Sequence, residues 1–160
     1  MEIYKVGVLT ISDRCSRGDA VDTSGPTLCE LIREFGMESI QTGIVPDEID
    51  DIQAMLLDWS GNCNLIITTG GTGLSPRDVT PEATIPLLDR TAPGIAEMIR
   101  WSGYQVNPRA ALSRGVCGLR GACLIVNLPG SKTGATEGWA ALKLLLPHAL
   151  DIAAGKSAGH

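Results

Sequence analysis

The sequence has little of the side-chain chemistry on which most catalytic sites depend. Two of its 160 residues are histidines, His148 in an apolar helical stretch and His160 at the last position. Histidine is the commonest proton-transfer side chain in enzymes, so a histidine-based general acid or base is not expected. Any catalysis is expected to depend on carboxylates, backbone amides and ions.

The cysteines form no recognisable framework. Their number is odd and no C-x-x-C pair occurs; they are Cys15, Cys29, Cys63, Cys117 and Cys123. A zinc site would need closer spacing and better ligands, and a disulfide framework would need an even count. Reduced cysteines in a reducing compartment are therefore expected, and Cys15, although in a polar loop, is interpreted as incidental.

Long apolar runs and an excess of positive charge are also missing. No stretch is long enough to cross a membrane, and MEIYKVGVLTIS is typical of a first strand rather than a signal peptide. A cytoplasmic protein with no membrane contact is expected. The net charge of −5 argues against nucleic acid as a partner. An anionic substrate stays open, because a small site can be locally positive or can bind a metal ion.

What the sequence does have is an alternation of strands and helices. Apolar segments at 3–11, 38–45 and 65–69 predict strands. Helices are predicted at 24–35, from Asp47 as the cap, from Thr80 as the cap, from 93 to about 101, and from about 133 to 153. Segments flanking Arg120-Gly121 predict a hairpin. Together they predict one domain over residues 1–160: an α/β three-layer α-β-α sandwich with a mostly parallel sheet and one antiparallel strand.

Four loops follow the strands that are predicted to be parallel. They read SDRCSRGDAVDTSG, PDEID, GGTGLSPRD and PGSKTGATEG. All four are polar or rich in glycine. Because ligands of such sheets bind outside the carboxyl ends of the strands, these loops are expected to form one site.

The glycine loop after the strand at 65–69 is not a standard nucleotide motif. A dinucleotide fingerprint would need glycine where Pro76 stands, and PGSKTG does not match the phosphate loop of nucleotide hydrolases. Gly70, Gly71 and Gly73 have no Cβ, so each can adopt a positive φ. Successive backbone N–H groups of the loop can then converge on an anion. A tight turn that leaves a buried strand is the alternative interpretation.

Two acids stand beside this loop, and each has an ordinary explanation. Asp47 lies where a helix cap would lie, and Asp78 could accept a hydrogen bond from its own turn. Both nevertheless follow parallel strands. Carboxylates that face a phosphate need a hard cation between them, so the pair predicts a Mg-nucleotide site.

At this point several motifs together resemble one family. TTGGTG with PRDVTPEAT, the early LTISDR, the VPDE segment and the late NLPGS are similar, in order, to the molybdopterin adenylyltransferases of the Mog/MoaB type. The family shares the fold described above. Its enzymes transfer AMP from Mg-ATP to the terminal phosphate of molybdopterin and release pyrophosphate. The resemblance implies Mg²⁺ as cofactor and ATP and molybdopterin as substrates.

The resemblance also assigns residues. Asp47 and Asp78 match the family's essential acids, so they are expected to be catalytic and to bind the metal. Substrate binding is implied for a larger set in four loops: Ser12, Asp13 and Arg14; Gly70, Gly71, Thr72 and Gly73; Ser113 and Arg114; Asn127, Pro129, Gly130 and Ser131. No role is assigned to Lys132 or Thr133.

The family resemblance implies partners as well. It predicts a trimer or a dimer of trimers, to which apolar residues of 91–121 would contribute, and a hand-over to a molybdate-inserting enzyme. Because the chain ends at His160, no second domain is expected. Two other functions stay open: a non-catalytic molybdopterin carrier of the same pathway, and a phosphate-binding domain that acts on another nucleotide. The sequence does not decide between the molybdenum and tungsten pathways.

Overall fold

A six-stranded sheet forms the centre of the molecule. The computed structural model describes residues 3–156, so His160 lies outside the described residues. In sheet order the strands are β2 (Glu38–Val45), β1 (Lys5–Ile11), β3 (Leu65–Thr69), β6 (Cys123–Leu128), β5 (Cys117–Arg120) and β4 (Arg90–Thr91). The first four run parallel, whereas β5 is antiparallel to both of its neighbours. The predicted sheet, mostly parallel with one antiparallel strand, is confirmed.

Helices cover both faces of this sheet. In the described part of the chain the α-helices are α1 (Asp13–Ser16), α2 (Ser24–Glu34), α3 (Ile49–Ser60), α4 (Thr80–Thr84), α5 (Pro93–Val106), α6 (Lys132–Leu142) and α7 (Leu146–Ala153). Helices α2, α5, α6 and α7 pack on one face, while α3 and α4 pack on the other. The three layers match the predicted sandwich. Within residues 3–156, no helix has the length and apolar character needed to cross a membrane.

The two central strands are buried on both faces. Every residue of β3 and of β6 is buried, which explains why both strands are mostly apolar; Thr68, Thr69 and Asn127 are their buried polar residues. Because successive side chains of a strand point to opposite faces, Ile67 packs in the cluster beneath α2 and α6. Its neighbour Ile66 packs beneath α3. The loops that follow β3 and β6 therefore begin at buried, tightly packed strand ends.

The predicted final helix is wrong, because the structure divides it. Helix α6 ends at Leu142 and α7 begins at Leu146, with Pro147 in the first turn of α7. Proline has no N–H to donate and clashes with the preceding turn inside a helix. The sequence contained this signal at Pro147.

Three further boundaries differ from the predictions. Helix α3 is preceded by Glu48 rather than capped by Asp47, and α4 is preceded by Val79 with Thr80 already inside the helix. Helix α5 continues to Val106 instead of ending near residue 101. The first of these differences matters most, since it frees the Asp47 side chain from a capping role.

The carboxyl ends of the parallel strands meet at one edge of the molecule. Ile11 is in register with Val45, and Thr69 is in register with Leu128. The four predicted loops therefore lie next to each other, as the topology required.

Candidate active site

The glycine loop begins with two left-handed residues. Gly70 has φ +106° and Gly71 has φ +69°, whereas Gly73 does not adopt a positive φ. A Cβ on Gly70 would collide with the carbonyl oxygen of Ile11, at the end of β1. The expected use of positive φ is thus confirmed at the first two glycines and wrong at the third. The close approach of β1 makes the first glycine a requirement of the fold itself.

Threonines fix this turn to its surroundings. The hydroxyl of Thr80 donates to the carbonyl oxygen of Gly70 at 2.9 Å, and the Thr80 N–H donates to that of Gly71 at 3.1 Å. Thr69 donates from its hydroxyl to the carbonyl oxygen of Pro129 at 2.7 Å. The loop after β3 is consequently bound both to α4 and to the loop after β6.

Asp47 is held by a reciprocal pair with Asp13, and this contact replaces the predicted cap. The Asp13 N–H donates to Asp47 Oδ2 at 2.9 Å, and the Asp47 N–H donates to Asp13 Oδ1 at 3.0 Å. Each backbone amide thus binds the carboxylate of the other residue. The pair joins the loops after β1 and β2 and fixes the orientation of both carboxylates.

The second oxygen of Asp47 is the unusual atom of the site. Within residues 3–156, Asp47 Oδ1 is the one buried side-chain oxygen or nitrogen that has no hydrogen-bond partner. A Cβ on Gly71 would lie 3.0 Å from it, so the oxygen lies against the glycine loop. Burial raises the pKa of this carboxyl, and the nearby charges of Asp13 and Asp78 raise it further. A buried carboxylate oxygen without a partner is costly, which indicates a missing cation or donor.

Asp78 follows the same loop in sequence. Its Oδ2 accepts the Ser75 N–H at 3.0 Å, and the Asp78 N–H donates to the Ser75 carbonyl oxygen at 2.9 Å. The local turn considered in the sequence therefore exists. A Cβ on Gly73 would lie 2.8 Å from Oδ2, so this carboxylate also lies against the glycine loop. The structure brings the two predicted acids together around Gly71 and Gly73.

Arg77 was missed by the sequence reasoning. Its guanidinium donates to both carboxylate oxygens of Asp13, at 3.0 and 3.1 Å, and to Glu48 Oε1 at 2.7 Å. The first of these contacts holds the pKa of Asp13 below its usual range. Arg77 thereby joins the loops after β1, β2 and β3. Its position next to Asp78 in the PRDVTPE segment was the available signal.

Ser113 and Arg114 contact the glycine loop. The Ser113 hydroxyl lies 3.4 Å from the Thr72 hydroxyl, and the Arg114 N–H donates to the Thr72 carbonyl oxygen at 2.8 Å. Arg114 also donates from Nε to the Gly73 carbonyl oxygen at 2.8 Å. The segment Leu112-Ser113-Arg114 thus packs on the glycine loop through contacts with the protein, and substrate binding by Ser113 and Arg114 stays a prediction.

The remaining predicted residues divide into internal and surface positions. Asn127 is buried, donating to the hydroxyls of Thr68 and Thr84 while accepting the Val116 N–H. Ser12 caps α1 and Ser131 caps α6. Others lie at the surface around the loop after β6 or the start of α1: Arg14, Pro129 and Gly130. Asn127 thus has a structural role in the free protein, and substrate contacts by this group stay predictions.

A cavity opens beside the acids. It has a volume of about 440 Å³, and its polar lining includes Asp47, Glu48, Asp50, Asp51 and Arg77. Among the described residues, no group of three or more His, Cys, Asp or Glu side chains is arranged to hold a metal ion. Asp78 is not part of this lining. A cation between Asp47 and Asp78 would have two carboxylates as protein ligands, an arrangement that suits Mg²⁺ when phosphates complete the coordination.

An α/β fold with paired acids around a glycine loop defines a class of anion-binding protein, and the comparisons identify the family. The family model described as "Probable molybdopterin binding domain" matches residues 7–148. The crystal structure of the molybdopterin biosynthesis enzyme MoaB from Thermus thermophilus has a TM-score of 0.91 and 47% identity, covering 96% of this chain and 98% of that chain.

Curated relatives agree with this assignment. The molybdopterin adenylyltransferase of Helicobacter pylori 26695 is 36% identical over 159 residues, which cover 97% of this chain and 90% of that protein. Molybdenum cofactor synthesis protein cinnamon of Drosophila melanogaster is 47% identical over 155 residues, which cover 95% of this chain. The match spans 26% of the Drosophila protein, about a quarter of its length. The chain belongs to the Mog/MoaB-type family of molybdopterin-binding domains, so the resemblance is confirmed.

Proposed function

We propose that this protein is a molybdopterin adenylyltransferase, which transfers AMP from Mg-ATP to the terminal phosphate of molybdopterin and releases pyrophosphate. The observation that carries the proposal is the buried, unpaired Oδ1 of Asp47. It lies against the glycine loop, as Asp78 does, at the sheet edge where this fold binds ligands. Family membership and the name of the Helicobacter relative support the same activity.

The reaction needs alignment more than side-chain chemistry. A terminal phosphate oxygen of molybdopterin attacks the α-phosphorus of ATP, the new P–O bond forms, and the bond to the bridging oxygen of pyrophosphate breaks. The attacking oxygen is already anionic, so no side chain has to remove a proton. The barrier is largely charge repulsion and positioning, which a rigid polar site can lower.

Each part of the site has a task in this proposal. Asp47 and Asp78 would hold Mg²⁺, which supplies positive charge to neutralise the triphosphate. Asp13 fixes Asp47 through the reciprocal pair, so that Oδ1 stays directed at the glycine loop. The backbone N–H groups around Gly71 would bind an anionic ligand, and Arg77 supplies positive charge in an otherwise acidic cavity.

The main alternative is a molybdopterin carrier without catalysis. A carrier has no need for a partly buried carboxylate with one buried oxygen that lacks a partner, because that oxygen would repel a bound phosphate. Asp47 therefore favours the enzyme. A domain that acts on another nucleotide is disfavoured by the family match over residues 7–148.

The decisive experiment is AMP transfer by the purified protein with molybdopterin, ATP and Mg²⁺. The wild type should release one pyrophosphate for each adenylylated product, and Asp78→Asn should lose most of this turnover while keeping its circular dichroism. Asp19→Asn, at an exposed ion pair with Arg17, is the matched control and should stay active. Tight molybdopterin binding without turnover in the wild type would support the carrier instead.

We also propose a trimer or a dimer of trimers, in which residues 1–160 act as one catalytic domain. The support is an apolar patch on and after α5: Trp101, Tyr104, Val106 and Leu112, with exposed fractions of 66%, 46%, 69% and 53%. Exposed aromatic and aliphatic side chains in one area are typical of an interface. Light scattering should show an oligomer, and a monomer at micromolar concentration would contradict it.

We also propose a cytoplasmic location for the protein and transfer of its product to another enzyme. All five cysteines lie unpaired, which is consistent with a cytoplasmic protein. Adenylylated molybdopterin, the proposed product, would then pass to a molybdate-inserting enzyme.

A further inference from the structure

Arg114 makes an unusual set of contacts for a residue that the resemblance assigns to substrate binding. Its Nε donates to the carbonyl oxygen of Gly73 at 2.8 Å, and its Nη2 donates to that of Asp78 at 2.8 Å. Its Nη1 forms a charge-assisted hydrogen bond with Glu82 in α4. All three guanidinium nitrogens are thus engaged by protein groups. We call the segment between the two carbonyls, residues 73–78, the acid loop.

These contacts close the acid loop at both ends. Residues 74–77 are exposed, and 73–78 contains no helix or strand, so its shape depends on hydrogen bonds. Arg77 fixes the middle of the segment through Asp13 and Glu48, whereas Arg114 binds its two ends. One planar guanidinium binds the carbonyl of its first residue and that of its last. Charge-assisted hydrogen bonds of this kind are roughly twice as strong as neutral ones, and the rigid fork of arginine fixes the angle between them.

Arg114 is itself held from the opposite side. Arg100, on α5, donates from Nη1 to the carbonyl oxygen of Gly115 at 2.6 Å. The Arg114 backbone N–H donates to the carbonyl oxygen of Thr72. The side chain therefore extends from a fixed backbone towards the acid loop, with Glu82 orienting its far end.

We propose that Arg114 is a positioning residue that closes the acid loop and so holds the carboxylate of Asp78 beside Asp47. It acts through Asp78 and does not bind substrate. This inference rests on the proposed adenylyl transfer for its catalytic consequence. Its structural part, the closure of the acid loop, is independent of that function.

Three variants test the proposal. Arg114→Lys keeps the positive charge but cannot bind both carbonyls and Glu82 at once. Glu82→Gln removes the charge that orients the guanidinium and lies outside the proposed substrate contacts. The matched control is Arg120→Gln, because Arg120 also donates to a backbone carbonyl, that of Leu87, at 3.0 Å.

The kinetic result separates positioning from substrate binding. Arg114→Lys and Glu82→Gln should each lower kcat by about 10- to 100-fold, the loss expected for a misplaced catalytic group. The KM for molybdopterin should change by less than about twofold, and the double variant should be no slower than the slower single one. A raised KM with unchanged kcat in Arg114→Lys, or full activity in Glu82→Gln, would overturn the proposal.

Amide exchange tests the closure without any turnover. Exchange at Ser75 and Asp78, whose N–H groups are bonded within the acid loop, should accelerate in both variants but not in Arg120→Gln. Faster exchange together with an inactive wild type would refute the proposed function and leave the positioning role intact. Unchanged exchange in Arg114→Lys would refute the positioning role.

Discussion

The two acids of the site are held in different ways. Asp47 is fixed through backbone amides between two loops that leave buried strands, and one of its oxygens is buried without a partner. Asp78 lies on an irregular, largely exposed loop, where its Oδ2 accepts a hydrogen bond from Ser75, a near neighbour in sequence. The first acid is placed by the fold, and the second is placed by a loop whose closure depends on Arg114.

This difference has a physical consequence. A partly buried carboxylate with one unpaired buried oxygen costs stability in the free protein, and a ligand that pairs with this oxygen recovers the cost on binding. A charge on an exposed loop costs little, but its position must be maintained by long-range contacts. Mutations at Asp47 and at its neighbour Gly71 should therefore change both the stability of the protein and its activity. Mutations at Asp78 and at its neighbour Gly73 should change mainly the activity.

The largest effect is expected when either acid loses its charge. Asp47→Asn and Asp78→Asn should each lower AMP transfer by about 10²-fold or more, because Mg²⁺ would lose one of two carboxylates. Since both acids would serve one ion, the double variant should be little worse than the worse single one. Single-turnover AMP transfer at saturating ATP measures this.

The circular dichroism spectrum of each variant is the folding control for this comparison. Fully multiplicative losses in the double variant would show that the two acids act separately. In that case a metal shared between them would be ruled out.

The next largest effects are expected from substitutions of the loop glycines, because Gly71 lies beside Asp47 and Gly73 lies beside Asp78. Gly71 has φ +69°, and a Cβ there would collide with the Thr80 hydroxyl and approach Asp47 Oδ1. Gly71→Ala should therefore lose about 1 kcal/mol or more of unfolding free energy as well as activity. Gly73 has no positive φ, and its Cβ would meet Asp78 Oδ2, the end of a side chain, at 2.8 Å.

Gly73→Ala should accordingly lower AMP transfer by roughly tenfold with a melting temperature close to that of the wild type. Thermal melts and transfer rates of both variants give the comparison. Gly61→Ala, at the end of α3, is the control, because a Cβ there would meet nothing closer than 3.9 Å. Equal losses of stability in Gly71→Ala and Gly73→Ala would contradict the difference proposed between the two acids.

Local patterns predicted the fold well and the site in part. The buried run of β3 and the glycines after it were readable because both are signals within a few residues. Local sequence could not distinguish whether Asp47 caps a helix or belongs to a loop. Its hydrogen-bond partner, Asp13, which excludes the cap, is distant along the chain. The motifs point to Arg77 and Arg114 as residues, but the long-range hydrogen bonds through which they act are not encoded by any local pattern.

The smallest expected effect is on stability, and it has an unusual sign. Burial raises the folded-state pKa of Asp47, so the fold favours its protonated form. Its contribution to stability is therefore present below the unfolded pKa, about 3.9, and is lost as the pH rises through the folded pKa. At neutral pH the ionised carboxylate destabilises the free protein. Asp47→Asn should raise the melting temperature by at most roughly 2–4 °C at pH 7, with no gain below pH 4.

Mg-ATP should reverse the order of the melting temperatures of the wild type and Asp47→Asn, because a ligand that binds the folded state more tightly stabilises it more. The wild type should gain more from Mg-ATP than Asp47→Asn does, whereas without ligand the variant should melt higher. Asp78→Asn is the comparison: its exposed loop predicts a melting temperature within about 1 °C of the wild type in the absence of ligand. Thermal melts of the wild type, Asp47→Asn and Asp78→Asn at pH 4 and pH 7, with and without Mg-ATP, measure these melting temperatures. A lower melting temperature for Asp47→Asn at pH 7 without ligand would show that the ionised carboxylate stabilises the free protein, and would contradict the proposed cation at Oδ1.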